Sequence, residues 1–165
     1  MKHQEKKFLV TSFDDVKKRL NQAGAKSLKT ANSTHYYAQV DGNDVVKLVD
    51  QDGQCEIHLL KESDGKFTLA DRIPMSDVSA GLRWLRDKGY ESCTTVKITH
   101  TDYEYNVGLI GLYIINDLLY SVILDFPGNK HLAMEKQFGL EEAEQITIPY
   151  NKILENMGKI KPEPL

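Results

Sequence analysis

Cysteine is scarce in this chain. Cys55 and Cys93 are far apart and neither has a partner at short metal-type spacing, so neither a disulfide framework nor a zinc site is indicated. Two buried thiols in a reducing compartment fit better. No apolar run reaches membrane-spanning length: the greasiest stretch, 107–126, is split by Asn116-Asp117 into halves rich in Ile, Leu, Val and Tyr, which read as a buried hairpin. The opening Met1-Lys2-His3-Gln4-Glu5 has no apolar segment behind a basic stretch, so no secretory signal is expected. Charge of one sign is also lacking. With 21 Lys and Arg against 24 Asp and Glu, the net charge of −3 argues against a nucleic-acid partner, although a basic cavity can hide inside a neutral total. A glycine-rich phosphate loop and a Ser-His-Asp arrangement are both missing. The expectation is a cytoplasmic protein with no membrane or nucleic-acid partner.

The 165 residues suffice for one domain with a sizeable core. Residues 1–157 are expected to form it, with 158–165 as a flexible tail. After a first strand ending in Phe8-Leu9-Val10, Ser12 and Asp15 suggest a capping box, and Phe13, Val16, Leu20 and Ala23 share one helical face that Gly24 terminates. His35 to Val40, Val45 to Val49, Cys55 to Lys61 and Lys66 to Ile73 read as four strands separated by turn dipeptides, an antiparallel meander. Ser76-Asp77 caps a second helix with Val78, Leu82 and Leu85 inward, ending at Gly89. Thr94 to Tyr105 and the 107–126 hairpin follow, with Lys130 to Phe138 expected as a last strand and Pro149 opening a final helix. Many antiparallel neighbours and few helices favour a curled, closed sheet, so an α+β barrel is expected.

The first strand carries the chemistry. His3, Glu5 and Lys7 alternate and so share one face of an extended chain. On an inner wall such groups are costly unless they pair or hold a ligand; on an edge strand they would simply be solvated. His3-x-Glu5-x-Lys7 followed by Phe8-Leu9-Val10 resembles the opening Glu-x-Glu-x-Lys strand of the CYTH superfamily, the triphosphate tunnel enzymes, which include class IV adenylyl cyclases, thiamine triphosphatases and inorganic triphosphatases. Phe13 to Ala25, Thr34-His35-Tyr36-Tyr37, Gly81 to Tyr90, Phe138-Gly139-Leu140 and Ile148 to Leu154 are similar, in order, to further family segments.

That resemblance implies an eight-stranded antiparallel β-barrel, a tunnel with helices outside. It implies Lys7, Lys47, Lys61, Arg72 and Lys97 as the basic set for a triphosphate, and Glu5, Asp125 and Glu135 as the acidic set for Mg²⁺ or Mn²⁺. The chain departs from the family pattern at His3, Val49, Thr99 and Gln137, and in Ile73-Pro74-Met75 after Arg72. Losing two carboxylates leaves ligands for one ion rather than two. The implied ligand is an organic or nucleoside triphosphate, hydrolysed or cyclised if the chain is catalytic. The alternative is a non-catalytic descendant that binds an anion or a protein. His58 and His100 on predicted strands are either acid–base groups or structural residues. Tyr103 and Tyr105 either stack on a ring or pack the sheet.

Overall fold

The computed structural model describes residues 2–165. In chain order it runs β1 (His3–Val10), α1 (Asp14–Gln22), β2 (Lys26–Ser27), β3 (Ala31–Ala38), β4 (Val45–Gln51), β5 (Gln54–Ser63), β6 (Lys66–Met75) and α2 (Val78–Asp87). Then follow β7 (Ser92–Tyr105), β8 (Gly108–Ile115), β9 (Leu119–Pro127), α3 (His131–Gln137), β10 (Glu144–Ile146), α4 (Tyr150–Asn156) and β11 (Glu163–Pro164). Eight strands close in the order β1-β6-β5-β4-β3-β7-β8-β9, with β9 pairing back onto β1 from His3↔Pro127 to Val10↔Tyr120. Every pairing is antiparallel. The expected eight-stranded barrel with outer helices is what the chain forms.

The closure has one thin seam. Among the described residues β1 pairs with β6 only at Glu5↔Phe67, and β10 takes over the same edge of β1 at Lys7↔Ile146 to Leu9↔Glu144. Leu59 pairs with Asp71 and Leu60 with Leu69, so Ala70 is an extra residue, a bulge in β6. The tight turns follow the sequence signals: Asn116 and Asp117, between β8 and β9, both adopt positive φ (51° and 52°), the conformation a right-twisted hairpin favours.

Three apolar clusters hold the helices and the barrel together. On one outer face α1 and α3 pack Val16, Leu20 and Met134 against Phe8, Val122 and Leu124. On the opposite wall Leu85 of α2 meets Leu48 and Ile57. The third cluster fills one end of the barrel, where Tyr150 and Leu154 of α4 plug the opening against Tyr37, Val45, Leu60, Phe67 and Ile115. Each such fully buried side chain contributes about 1.5–3 kcal/mol.

Two local expectations change. Lys130 to Phe138, expected as a strand, is α3: Leu, Ala, Met, Glu, Lys and Gln are good helix formers, and Met134 and Phe138 fall on one buried face four residues apart. In place of a capping box at the start of α1, Ser12 Oγ accepts weakly from the Asp14 N–H (3.4 Å) and Asp15 pairs with Arg19 (2.9 Å). The terminal segment returns to the barrel: Glu163 pairs with Cys93, and the Leu165 N–H donates to Glu91 O (2.9 Å). Cys55 and Cys93 are both buried and free. Among the described residues no helix is long and apolar enough to cross a membrane.

Candidate functional site

Alternation along the strands decides what faces the bore. On β1, Glu5 and Lys7 point inward, whereas Phe8 joins the outer core and Lys6 donates to Glu135 of α3 at 2.9 Å. The same parity brings His35 and Tyr37 from β3, Lys47 from β4, His58 from β5, Arg72 from β6, His100 and Asp102 from β7, and Tyr113 from β8 around one cavity of about 290 Å³. That is the liquid volume of about ten waters. Tyr150 forms part of its floor, its hydroxyl bonded to Ser121 Oγ at 2.7 Å.

The cavity continues past Glu5. A constriction of about 60 Å³ lies between Glu5, Gly111 and Asp125, and a further space of about 240 Å³ is lined by His3, Glu5 and Asp125. All three spaces are lined in part by Glu5. Gly111 keeps the constriction open: a Cβ there would come within 2.5 Å of the Tyr113 ring and 2.9 Å of Asp102 Oδ1.

Electrostatically the bore is unusual. Lys7 is 5% exposed, and its ammonium sits 4.1 Å from the centre of the Phe67 ring and 4.3 Å from that of Tyr150. Lys47 lies 5.1 Å from the Tyr37 ring centre. Neither lysine takes part in any of the ion pairs found among the described residues. Burial lowers the pKa of Lys7 to about 8, against the pull of Glu5. Burial, then repulsion from Lys7, lowers that of Lys47 to about 7. Burial raises the pKa of Glu5, with both lysines opposing and Asp125 adding to the rise. It likewise raises those of Asp102 and Asp125. Desolvation therefore disfavours the charged forms of Glu5, Lys7, Lys47, Asp102 and Asp125, and a polyanion that reached the two lysines would relieve their mutual repulsion.

The sequence-derived candidates divide by position. Glu5, Lys7, Lys47, Arg72 and Asp125 lie on the bore. Arg72 stands at its rim, giving Glu56 two hydrogen bonds of 3.1 and 2.9 Å. Lys61 is exposed and paired with Asp44 at 3.3 Å. Lys97 is also outside, on a surface cleft it shares with Asp50, Asp52 and Asp117. Glu135 lies on the outer face against Lys6. Gln137 donates to the Tyr105 hydroxyl there at 2.8 Å. His58 and His100 do face the bore, and His35 and Asp102, not singled out from the sequence, join them. Their signal was present as spacing of two, Ser33-x-His35-x-Tyr37 and Ile98-x-His100-x-Asp102.

Two outer clefts are larger than the central cavity and less suited to an anion. The one of about 590 Å³ sets three carboxylates against Lys97, and the one of about 700 Å³ carries Asp15, Glu142 and Glu144 with no lysine or arginine. For a divalent ion, Glu5 and Asp125 are paired across β1 and β9 and share the constriction. Hard carboxylate oxygens with raised proton affinity suit Mg²⁺ or Mn²⁺, which commonly take one or two carboxylates and complete their shell with water and phosphate. Among the described residues no three His, Cys, Asp or Glu side chains are grouped to chelate a metal by themselves, so phosphate oxygens would have to contribute.

No family model and no curated protein matches the sequence. Solved structures do. A Pyrococcus horikoshii protein superimposes with a TM-score of 0.79 at 16% identity, over 91% of this chain and 98% of that one. A Vibrio parahaemolyticus protein described as a candidate adenylate cyclase gives 0.71 at 14% identity, over 93% and 98%. A Hippeastrum candidate adenylyl cyclase whose dominant activity is that of a triphosphatase gives 0.59 at 12% identity, over 95% and 96%. The chain shares their fold along nearly its whole length.

Proposed function

We propose that the bore binds an organic or nucleoside triphosphate together with one Mg²⁺ or Mn²⁺ ion, and that the protein works in the cytoplasm on a small molecule rather than on nucleic acid. The observation that carries this reading is the pair Lys7 and Lys47, two ammonium groups inside a closed barrel with no carboxylate within salt-bridge distance among the described residues. A triphosphate carries about four negative charges and needs converging cations, which act more strongly where water is excluded. The fold shared with a cyclase candidate and a triphosphatase supports the same ligand class.

In this reading Lys7 and Lys47 hold the phosphate chain deep in the bore, and Arg72 exchanges Glu56 for a terminal phosphate at the rim. Glu5 and Asp125 would hold the metal ion, which supplies neutralisation of phosphoryl oxygens. Tyr150 and Leu154 close the α4 end and exclude water there. The chemistry would be hydrolysis or attack by a ribose hydroxyl.

A second reading, a non-catalytic barrel that binds an anion or a protein, is favoured by one contact: His3 Nδ1 lies 3.4 Å from Asp125 Oδ1 and competes with a cation for that carboxylate. Thermal unfolding against ATP, thiamine triphosphate and tripolyphosphate, each with Mg²⁺, Mn²⁺ or chelator, separates the readings. At a hundred times its dissociation constant a ligand adds about 2.7 kcal/mol, an upward shift of roughly 5–11 °C for a domain of this size. A metal-dependent shift followed by turnover supports the enzyme; a shift indifferent to chelator and without turnover supports the anion binder. No shift with any triphosphate refutes the triphosphate reading and leaves the second, with a ligand other than a triphosphate.

A further inference from the structure

Three imidazoles share the cavity of the two lysines, and the proposed reading gives them no task. His35, His58 and His100 come from β3, β5 and β7, line the same cavity as Lys47, and each has a buried ring nitrogen with no hydrogen-bond partner among the described residues. A buried polar nitrogen left unpaired is costly, and three in one cavity form an unsatisfied polar wall. His35 and His100 are held by their other contacts. His35 Nε2 is bonded to Ser33 Oγ at 2.8 Å. His100 stacks on Tyr113 with ring centres 4.8 Å apart. The unpartnered Nε2 of His58 lies 3.9 Å from Glu56 Oε1, beyond hydrogen-bond distance, and Arg72 draws on that same carboxylate with two hydrogen bonds.

We propose that His35, His58 and His100 form a proton-taking collar, so that a phosphate polyanion enters this bore together with protons from solvent, which convert imidazoles to imidazolium donors around it. The inference rests on the triphosphate reading and adds a group of ligands to it. In the empty bore, burial and the neighbouring Lys47 disfavour imidazolium at all three rings, taking His58 to about 4. Arg72 acts on His58 in the same direction, while Glu56 opposes it. Asp102 opposes the effect on His100. Lys7 and the other two rings add to it at His35. A bound anion reverses the balance, because its charge favours imidazolium and its oxygens accept from the ring nitrogens.

The window for seeing this is near pH 6. Lys7 and Lys47, with pKa values of about 8 and 7, are largely protonated there before the anion arrives. Uptake at that pH comes from the imidazoles, or else from Glu5 and Asp102, the carboxylates that also face the space and whose proton affinity burial raises. Substitution separates the two sources.

The experiment is calorimetric titration of the full chain with tripolyphosphate at pH 6.0, in buffers of differing ionisation enthalpy, for wild type, His58→Gln and the triple variant His35→Asn/His58→Gln/His100→Gln. Protons exchanged by tripolyphosphate itself are common to all three and cancel in the difference. The expected result is that wild type takes up about one proton more per anion than the triple variant, and that its affinity rises more steeply from pH 7 to 5.5, by about tenfold per pH unit for each additional proton. Equal uptake and equal slopes overturn the collar while leaving the triphosphate reading intact. Absence of binding by folded wild type overturns the reading beneath it. Should the triple variant not fold, the histidine Cε1–H resonances of wild type decide. Movement of at least one of the three toward the imidazolium position on adding tripolyphosphate at pH 6.0 supports the collar, and unmoved resonances on a saturated protein refute it.

Discussion

Lys7→Met should make the ligand-free protein more stable while abolishing its response to triphosphates. Lys7 is 5% exposed and burial brings its pKa from the ordinary 10.5 to about 8. At 1.36 kcal/mol per pH unit, the difference of 2.5 between those values corresponds to a cost of about 3 kcal/mol for keeping the charged form folded at pH 7. The Phe67 and Tyr150 rings, 4.1 and 4.3 Å from the ammonium, offset about 1–2 kcal/mol of this by cation–π attraction. Methionine keeps the length and contacts both rings through its thioether. The expected net gain is about 1–2 kcal/mol, or roughly 2–8 °C in Tm. The pH dependence is the sharper signature. Between pH 7 and 9.5 the unfolded lysine holds its proton while the folded one loses it, so wild type gains about 2 kcal/mol from this residue as the pH rises, and the variant does not. Calorimetric unfolding at pH 7.0 and 9.5, with and without tripolyphosphate, reads both effects. A variant that is less stable at pH 7 and still shifts with tripolyphosphate would refute the reasoning, because Lys7 would then be a structural residue.

Glu5→Gln should leave Tm at pH 7 no lower than wild type, since burial raises the pKa of the carboxyl and its charged form is the costly one above that pKa; the added shift from Mg²⁺ or Mn²⁺ should disappear in the same melts. Gly111→Ala forces a Cβ against Tyr113 and Asp102 and should cost about 1–3 kcal/mol in urea unfolding, with weaker tripolyphosphate binding as the constriction closes. Tyr150→Phe strips the buried Ser121 hydroxyl of its 2.7 Å partner and should cost about 1–3 kcal/mol in the same assay; an unchanged urea midpoint would mean that the α4 plug is not held by that bond.

The closed barrel was legible because its signals are local: turn dipeptides at Asp52-Gly53 and Asp64-Gly65, period-two strands, and helix ends at Gly24 and Gly89. Glu5 and Lys7 were legible for the same reason, since β1 has one register and no bulge against β9. Strand parity was harder to read. Lys97 lies between Val96 and Ile98, both buried inside, so it must point out; Lys61 follows inward Leu60 and points out as well. A polar residue between two apolar ones marks the outer face, yet the resemblance weighed positions without that parity. Glu135 was displaced by a change of period, from strand to helix, which put it on the barrel exterior. Spacing of two puts His35 on a face with Tyr37 and Asp102 on a face with His100, but only the folded barrel brings those faces around one cavity with Lys47 and His58. That convergence is a property of tertiary structure, and no local pattern carries it.

A crystal structure of the protein grown with tripolyphosphate and Mn²⁺ would place the ligand. Phosphate oxygens within hydrogen-bond distance of Lys7 Nζ and Lys47 Nζ inside the barrel are the expected result. Tripolyphosphate seated at Lys61 or Lys97 on the outer wall, with the bore holding only water, would contradict it.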